Sequence, residues 1–452
     1  MKWLNDGERM RKLIAAQRAQ RSPGRAHAGA GINALVLGGG GREYAIAWRL
    51  ARCDSVNTID AIPGNPAMSL FARTLDIPTD QAGRLEQHIA ASSIDLVIVG
   101  PDQLIASGIG NVLRRTGVTV VCPSREAAQL EWSKAFAKDA LREAGVPTAS
   151  FRTFPDAQAA RGGLSDGPVV VKADGLAAGK GVVVARDRAE ADAALSQSAI
   201  GAGRVLLEEV LTGEEASLHA LVDGETVVAL PPARDHKRLG DGDTGPNTGG
   251  MGACSPTRVL PDRDAQALAD RLIAPVARLL VQRGTPYRGV LYAGLMNTAE
   301  GWKVIEFNAR FGDPEAQVIL PRIGGDFAKL IQALGDGRLA AYVHTNPVRF
   351  SQRAYVDVAL CAEGYPAMPR LGDPITIGDL PDDAWMFHAG TRRAANGGYV
   401  TAGGRVLHVV AQGDTPAHAR DRAYAAAERI TWRGRFYRSD IAASEGRVQV
   451  TA

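Results

Sequence analysis

Four short apolar runs, Ala34–Leu37, Thr58–Ile62, Asp95–Val99 and Val118–Cys122, are separated by stretches of amphipathic helical pattern. Each closes in turn chemistry: Gly38–Gly41, Pro63-Gly64-Asn65, Gly100-Pro101-Asp102 and Pro123-Ser124. Apolar runs joined through helices are the signature of a parallel sheet built from βαβ units, whose strands are buried on both faces. In an open α/β sheet, ligands sit outside the carboxyl ends of the strands. The four turns are therefore expected to converge on one pocket.

At 452 residues the chain exceeds what one hydrophobic core fills, so several domains are expected. With 45% hydrophobic and 22% charged residues the composition is that of an ordinary soluble protein, and no long uncharged apolar stretch offers a membrane span. The formal net charge is +3, but residues 1–32 hold seven Lys or Arg against Asp6 and Glu8. The remaining chain is slightly acidic, which removes the electrostatic footprint of a nucleic-acid binder. The basic segment lacks the apolar centre of a secretory signal, and its two acids argue against a transit peptide. It reads as a disordered extension, with Met10 as an alternative start. Cys53, Cys122, Cys254 and Cys361 lie far apart with no CxxC spacing, so neither a disulfide framework nor a zinc site is indicated, and a cytoplasmic location is expected.

The run VVVKADGLAAGKGV from Val169 sets Lys172 at a strand end and follows it with a small-residue loop containing Gly179, Lys180 and Gly181. Such a loop lets backbone N–H groups approach phosphate oxygens while the lysine supplies a point charge. No Gly-Lys is followed by Ser or Thr, so this is not a Walker A loop, and an ordinary β-hairpin is the plain alternative. Further along come Glu208-Glu209-Val210-Leu211 and Glu214-Glu215, where the spacing of Glu208 and Glu215 suits a segment holding a base at one end and ribose hydroxyls at the other; a solvated acidic turn is the alternative. Lys303-Val-Ile-Glu306-Phe-Asn308 puts Glu306 and Asn308 on one face of a strand, since side chains two apart point the same way. Their oxygens are hard ligands suited to Mg²⁺, and an ordinary surface pair on a strand is the plain alternative. Gly289–Met296 and Trp302–Phe307 read as a hairpin, and Ala354–Glu363 with Gly404–Ala411 as strands of a last domain. Residues 235–256, DHKRLGDGDTGPNTGGMGACSP, are too polar and glycine-rich for a helix or strand, and loops of this length are usually functional.

Taken in order, Ser133-Lys134, Lys172 with its loop, Glu208 and Glu215, and Glu306 with Asn308 resemble an ATP-grasp domain. The segments Asp235–Ala253, Lys172–Gly181, Leu291–Met296 (LYAGLM) and Val304–Glu315 (VIEFNARFGDPE) resemble the glycinamide ribonucleotide synthetase family, as do Phe387–Thr391 (FHAGT) and Gly403–Val409 (GGRVLHV). The likeness spans residues 33 to about 445. It implies an α/β architecture: an N-terminal open parallel-sheet domain over 33–132, an ATP-grasp region over 133–345 with a mobile lid at about 146–208, and a small C-terminal α/β domain over 346–447.

The resemblance also implies a reaction, the ATP-dependent ligation of glycine to 5-phosphoribosylamine through glycyl phosphate, with Mg²⁺ or Mn²⁺, by a monomer or homodimer that has no nucleic-acid or membrane partner. ATP is expected at Lys134, Lys172, Gly179, Lys180, Gly181, Glu208, Glu209, Leu211 and Glu215, and the metal at Glu306 and Asn308. Arg310 is expected on the substrate carboxylate or acyl phosphate, or else paired with Asp313; Asp235 on the glycine ammonium; and Lys237 on the transferring phosphate. Asn247, Gly249, Gly250 and Met251 are expected to line the acyl phosphate. The loop Gly39, Gly40, Gly41 is expected to hold the ribosyl phosphate at a helix N-terminus, with Asn65 and Asp102 toward the ribose.

The chain departs from the family pattern at Tyr44 in place of His, Asp102 in place of Glu, Trp132 in place of Gly, and Cys254 in place of Tyr. These departures leave room for a paralog that joins another amino acid or amine. A non-catalytic nucleotide-binding regulator is expected to lack the metal pair or a phosphate lysine, and this chain keeps all of them. A Rossmann dehydrogenase is disfavoured, because the Gly38–Gly41 run is not GxGxxG.

Overall fold

The computed structural model describes residues 31–176, 181–201 and 203–446. The expectation for the basic N-terminal segment therefore falls almost wholly outside the described residues.

Strands β1 (Ile32–Gly38), β2 (Val56–Pro63), β3 (Arg73–Thr74), β4 (Leu96–Val99) and β5 (Thr119–Val121) form one parallel sheet in the order β3-β2-β1-β4-β5. The period-2 rule explains why these strands are apolar throughout. Leu35, Leu37, Val97 and Val99 enter one core, and Ala34, Val36, Leu96 and Ile98 enter another on the opposite face. The winding direction reverses between β1 and β4, and the helix α1 (Gly41–Leu50) starts at that switch point.

A second, antiparallel sheet has the order Thr226–Ala229, Glu214–Asp223, Arg288–Thr298, Gly301–Asn308. Its last two strands are the hairpin expected from the sequence. Over it lies a small sheet of Phe151–Phe154, Val205–Glu208, Val169–Ala173 and Val182–Ala185, with its own apolar cluster built from Val171, Ala185, Leu195, Val205 and Leu207. This unit falls within the stretch 146–208 expected to form a lid, and its core is separate from that of the antiparallel sheet.

The expectation that residues 235–256 form neither helix nor strand is corrected. Arg234–Asp235, Arg238–Gly240, Thr244–Asn247 and Gly252–Ser255 are strands. The middle two form a bulged hairpin, and Gly252–Ser255 pairs with Ala354–Cys361 in a five-stranded sheet completed by Arg405–Gly413 and Ala384–His388. The pairing partner lies about a hundred residues away, so no local pattern reports it. Helix Pro416–Ala427 packs its small face, Ala419, Ala423, Ala426 and Ala427, onto this sheet. The four cysteines are buried and unpaired with one another. No helix among the described residues is long and apolar enough to cross a membrane.

Candidate active site

Glu306 and Asn308 project from the strand Gly301–Asn308 opposite Gly294 and Tyr292 respectively. Gly294 packs beside the Glu306 side chain, where a Cβ would stand in van der Waals contact with its Cγ at 3.6 Å. Burial raises the Glu306 carboxyl, but Lys237, Lys172, Lys134 and Arg310 together hold it below the usual range. It closes no salt bridge with any of them among the described residues. The result is a group of cations around the Glu306 carboxylate, which fits a polyphosphate with a divalent ion. The oxygen donors at Glu306 and Asn308 are of the type a hard cation takes.

Each cation is delivered by a different element. Lys134 opens the helix Lys134–Glu143, which Ser133 caps by accepting from Phe136 N at 3.2 Å, and its ammonium donates to Gly175 O at 2.8 Å. Lys172 comes from the lid strand Val169–Ala173 and lies 2.9 Å from Glu208 Oε2. Lys237 lies between two of the short central strands, 2.8 Å from Glu215 Oε2. Burial lowers the Lys237 ammonium, but Glu215, Tyr292, Glu306 and Asp235 outweigh it and keep the group charged. Glu209 pairs with Lys303 at 3.3 Å and accepts from Ser150 Oγ at 3.1 Å, and Leu211 is half-buried in the connector 209–213 that joins lid to body. Gly179 and Lys180 lie outside the described residues, while Gly181 stands at the edge of the lid sheet with its carbonyl accepting from Ala173 N.

At several substrate-side positions the structure shows protein partners for the groups that the resemblance assigns to a ligand. The carboxyl ends of β1 and β4 do meet, but the crevice between them holds the buried Glu43 side chain. A Cβ on Gly38, whose φ is +118°, would lie 2.5 Å from Glu43 Cγ, and one on Gly100 would strike Glu43 Oε1. Glu43 Oε2 accepts from Gly40 N at 2.7 Å, and Asp313 Oδ2 accepts from Arg42 N at 3.4 Å. Two carboxylates thus occupy the helix N-terminus at Gly39–Gly41 where a phosphate was expected.

Asn65 is buried, and its amide donates to Gly39 O and His388 O while its oxygen accepts from Ala67 N and Met68 N. All its hydrogen-bonding capacity holds backbone, so it does not face a ribose. The amides of Gly249, Gly250 and Met251 donate to Tyr365 OH, Thr248 Oγ1 and His236 O, and Asn247 is exposed in the hairpin. This segment therefore presents no free row of N–H groups to an acyl phosphate.

Arg310 is partly committed, and its buried Nε has no partner among the described residues. It pairs with Glu131 at 2.9 Å, donates to Asn308 Oδ1 at 3.0 Å and to Phe311 O at 3.2 Å, and does not pair with Asp313. Its Nη2 steadies the amide oxygen of Asn308, and the bare Nε leaves one donor for a carboxylate or acyl phosphate. Asp102, half-buried at the start of the helix Asp102–Ser107, is among the charges that raise both Arg310 and Glu131, so it belongs to this same corner. Asp235 remains in the cleft, with Oδ1 buried and without a partner among the described residues. Burial, then Glu315, raises its carboxyl well above the ordinary range.

Sequence reasoning missed Lys138, Glu131, Glu315 and Arg405. Lys138 follows Lys134 by one helical turn, a spacing that signals a shared face. Glu315, 2% exposed and accepting from Ser217 Oγ at 2.9 Å, ends a quoted family segment. Arg405 arrives from the C-terminal sheet, donates to the carbonyls of Gly249 and Asp313, and lies 3.2 Å from Asp313 Oδ1. No local pattern announces that contact. Of the four departures, three pack away from the cleft. Tyr44 is 1% exposed against Phe71, Phe387 and His388; Trp132 donates to Arg125 O; and Cys254 is buried in the core of the C-terminal sheet.

An antiparallel sheet whose last strand carries an acid and an amide, faced by a small lid sheet carrying Lys172 and Glu208, defines an ATP-grasp enzyme. Family models agree with that class. The phosphoribosylglycinamide synthetase N domain matches residues 32–131, its ATP-grasp (A) domain 132–316 and its C domain 355–444. The chain belongs to the phosphoribosylglycinamide synthetase family. It is 44% identical over 419 residues to the phosphoribosylamine–glycine ligase of Caulobacter vibrioides, covering 91% of this chain and 97% of that protein. A crystal structure of the phosphoribosylamine–glycine ligase from Thermotoga maritima superposes with a TM-score of 0.78 at 33% identity, covering 91% of this chain and all of that one. The biotin carboxylase domain of Hydrogenobacter thermophilus 2-oxoglutarate carboxylase, solved with MgADP, shares the fold at a TM-score of 0.67 and 18% identity, with 89% and 91% of the two chains covered.

Proposed function

We propose that this protein joins glycine to 5-phosphoribosylamine, converting ATP to ADP and phosphate and forming glycinamide ribonucleotide. The observation that carries the reading is the cluster of Lys134, Lys172, Lys237 and Arg310 around the Glu306 carboxylate, beneath a lid with its own core. A carboxylate cannot acylate an amine directly, because oxide is the leaving group. In the proposed reaction a glycine carboxylate oxygen attacks the γ-phosphorus and ADP leaves. The amine then attacks the carbonyl carbon of glycyl phosphate, phosphate leaves, and the nitrogen loses a proton.

The chemistry of the first step is positioning and charge stabilisation. Lys134 and Lys172 hold ATP phosphates and Lys237 the phosphoryl group in transfer. Glu306 and Asn308 hold Mg²⁺ or Mn²⁺, which, when bound, offsets charge on the phosphate oxygens. Glu208 takes the base, since its buried Oε1 lacks a partner among the described residues, and Glu215 takes the ribose. Asp235, with an equally bare Oδ1, accepts the glycine ammonium, and Glu315 adds negative charge beside it. Arg310 orients Asn308. Asp102 reaches the phosphoribosylamine from the N-terminal sheet. The lid at about 146–208 excludes water from the acyl phosphate. Its small-molecule substrates and buried thiols suit the cytoplasm. That the departures Tyr44, Trp132 and Cys254 pack away from the cleft favours this amine over a different one.

A panel of amino acids and amines, with ADP release and product mass as readouts, tests the proposal. ADP formation is expected to need glycine, phosphoribosylamine and Mg²⁺ together. Rapid ATP hydrolysis indifferent to any amino acid rejects a ligase, and a product mass from another amine rejects the substrate assignment.

A further inference from the structure

Lys138 has been given no role so far, yet it is 3% exposed, deeper than most charges in the protein. Its ammonium stands 2.9 Å from Glu208 Oε2 and donates to Thr148 Oγ1 at 2.8 Å, which in turn donates to Val304 O at 2.6 Å. Lys172 reaches the same Glu208 oxygen, also at 2.9 Å. Two ammonium groups on Oε2 leave Oε1 buried with no partner among the described residues. An ionised carboxylate accepts only, and a buried polar atom left bare is costly, so the arrangement calls for a donor on a ligand.

The two lysines are not equivalent. Lys172 rides on the lid sheet and is also one of the cations facing Glu306. Lys138 comes from the helix Lys134–Glu143 outside the lid, and Thr148 links it to the strand that carries Glu306. It therefore ties the end of the lid strand Val205–Glu208 to the body of the enzyme. We infer that Lys138 is a positioning residue that holds Glu208 by Oε2 so that Oε1 accepts from the exocyclic amino group of the nucleotide base, making the enzyme select an amino-bearing purine. A base with a carbonyl there sets oxygen against oxygen, and one without the amine leaves Oε1 bare. The inference rests on reading Glu208 as the base contact.

The charged groups facing Lys138 are Lys172 and Glu208 on two lid strands and Glu306 on the metal strand. Burial, helped by Lys172 and opposed by Glu208, brings the ammonium down to about 8. Above that pH the tie loses its charge, so the KM for ATP is expected to rise.

The test compares wild type and K138M with ATP, GTP and purine riboside triphosphate, which lacks the amino group. Wild type is expected to prefer ATP to the deamino analogue by about tenfold or more in kcat/KM, the scale set by one unpaired buried polar group. K138M is expected to raise the KM for ATP by a similar factor of about ten, keep kcat within about threefold, leave the KM for glycine unchanged, and bring the ATP-to-analogue ratio toward one. The alkaline rise in KM for ATP should also vanish. A folded K138M that keeps the wild-type ratio overturns the inference. Equal use of ATP and analogue by wild type instead overturns the reading of Glu208 itself. Should K138M fail to fold, Thr148→Val removes the hydroxyl that steadies the ammonium, and an unchanged ratio there overturns the inference equally.

Discussion

Glu306 and Asn308 illustrate what single residues contribute. Two positions apart on a strand, they share a face whatever the rest of the fold does, and their chemistry requires only that cations and phosphates gather there. Glu306→Gln and Asn308→Ala are expected to lower kcat by about two orders of magnitude or more at any Mg²⁺ concentration, with circular dichroism unchanged, because each removes a ligand from an ion that offsets transition-state charge. Near-normal rates at saturating Mg²⁺ would take them out of the site. Asp102 and Tyr44 separate two kinds of departure from the family pattern. Asp102→Ala should weaken kcat/KM for phosphoribosylamine by roughly 1–3 kcal/mol, the worth of a charged hydrogen bond, and leave the KM for ATP alone. Tyr44 is buried among Phe71, Phe387 and His388. Tyr44→His should lower the unfolding midpoint without shifting the KM for the amine, and a selective change in that KM would place residue 44 at the substrate.

At the scale of elements, the turns after the strands serve more to hold the protein together than their composition suggests. The 3-10 turn Pro66–Leu70 begins at Asn65, whose side chain caps it and also reaches across to the C-terminal sheet through His388 O. Asn65→Ala is expected to cost stability of about 1–2 kcal/mol, the usual value of a lost cap. Urea denaturation measures that loss, and kinetics should show no preferential effect on the amine; a phosphoribosylamine-specific defect at full stability would return Asn65 to the binding site. The helix α1 shows the same reversal. Its N-terminus was a natural anion seat by sequence, but Glu43 three residues on reaches back to Gly40 N and fills it. Gly40 has no side chain to cap the helix, and only the direction of the Glu43 side chain decides how its N-terminus is filled.

Across the whole molecule, residues from several sheets contribute to one cleft, and the C-terminal sheet takes part through Arg405 and the strands recruited from residues 234–255. The same assembly buries histidines in neutral form. His388, at the junction of the first and last domains, is 2% exposed, and burial, with Arg393 nearby, lowers it to about 3. Its folded value lies below the unfolded value of roughly 6.5, so the unfolded chain binds more protons and stability falls as the pH drops below that point. The stability gap between wild type and His388→Asn should therefore narrow on acidification from pH 7, by at most about 1.4 kcal/mol per unit for one proton. Urea titrations at several pH values measure this, and a constant gap would mean that His388 titrates normally.

The sequence by itself determined the parallel sheet, because apolar runs broken by Gly and Pro turns need no distant partner to be read. It also determined the pairing of Glu306 with Asn308, which follows from strand period alone. The lysines Lys134 and Lys172 stood out through their neighbours in order along the chain, and the family likeness rested on long contiguous segments. What only the tertiary structure decided was each side chain's allegiance. Asn65 turns to backbone, Arg310 to Glu131, Glu43 into the crevice, and Gly252–Ser255 into a sheet with a strand about a hundred residues on. Lys138, whose spacing from Lys134 signals only a shared helix face, meets Glu208 from another element. Local pattern sets the backbone because its hydrogen bonds and periodicity are short-range. Which partner a buried charge or amide finds depends on contacts between segments distant in sequence, and those exist only once the chain has folded.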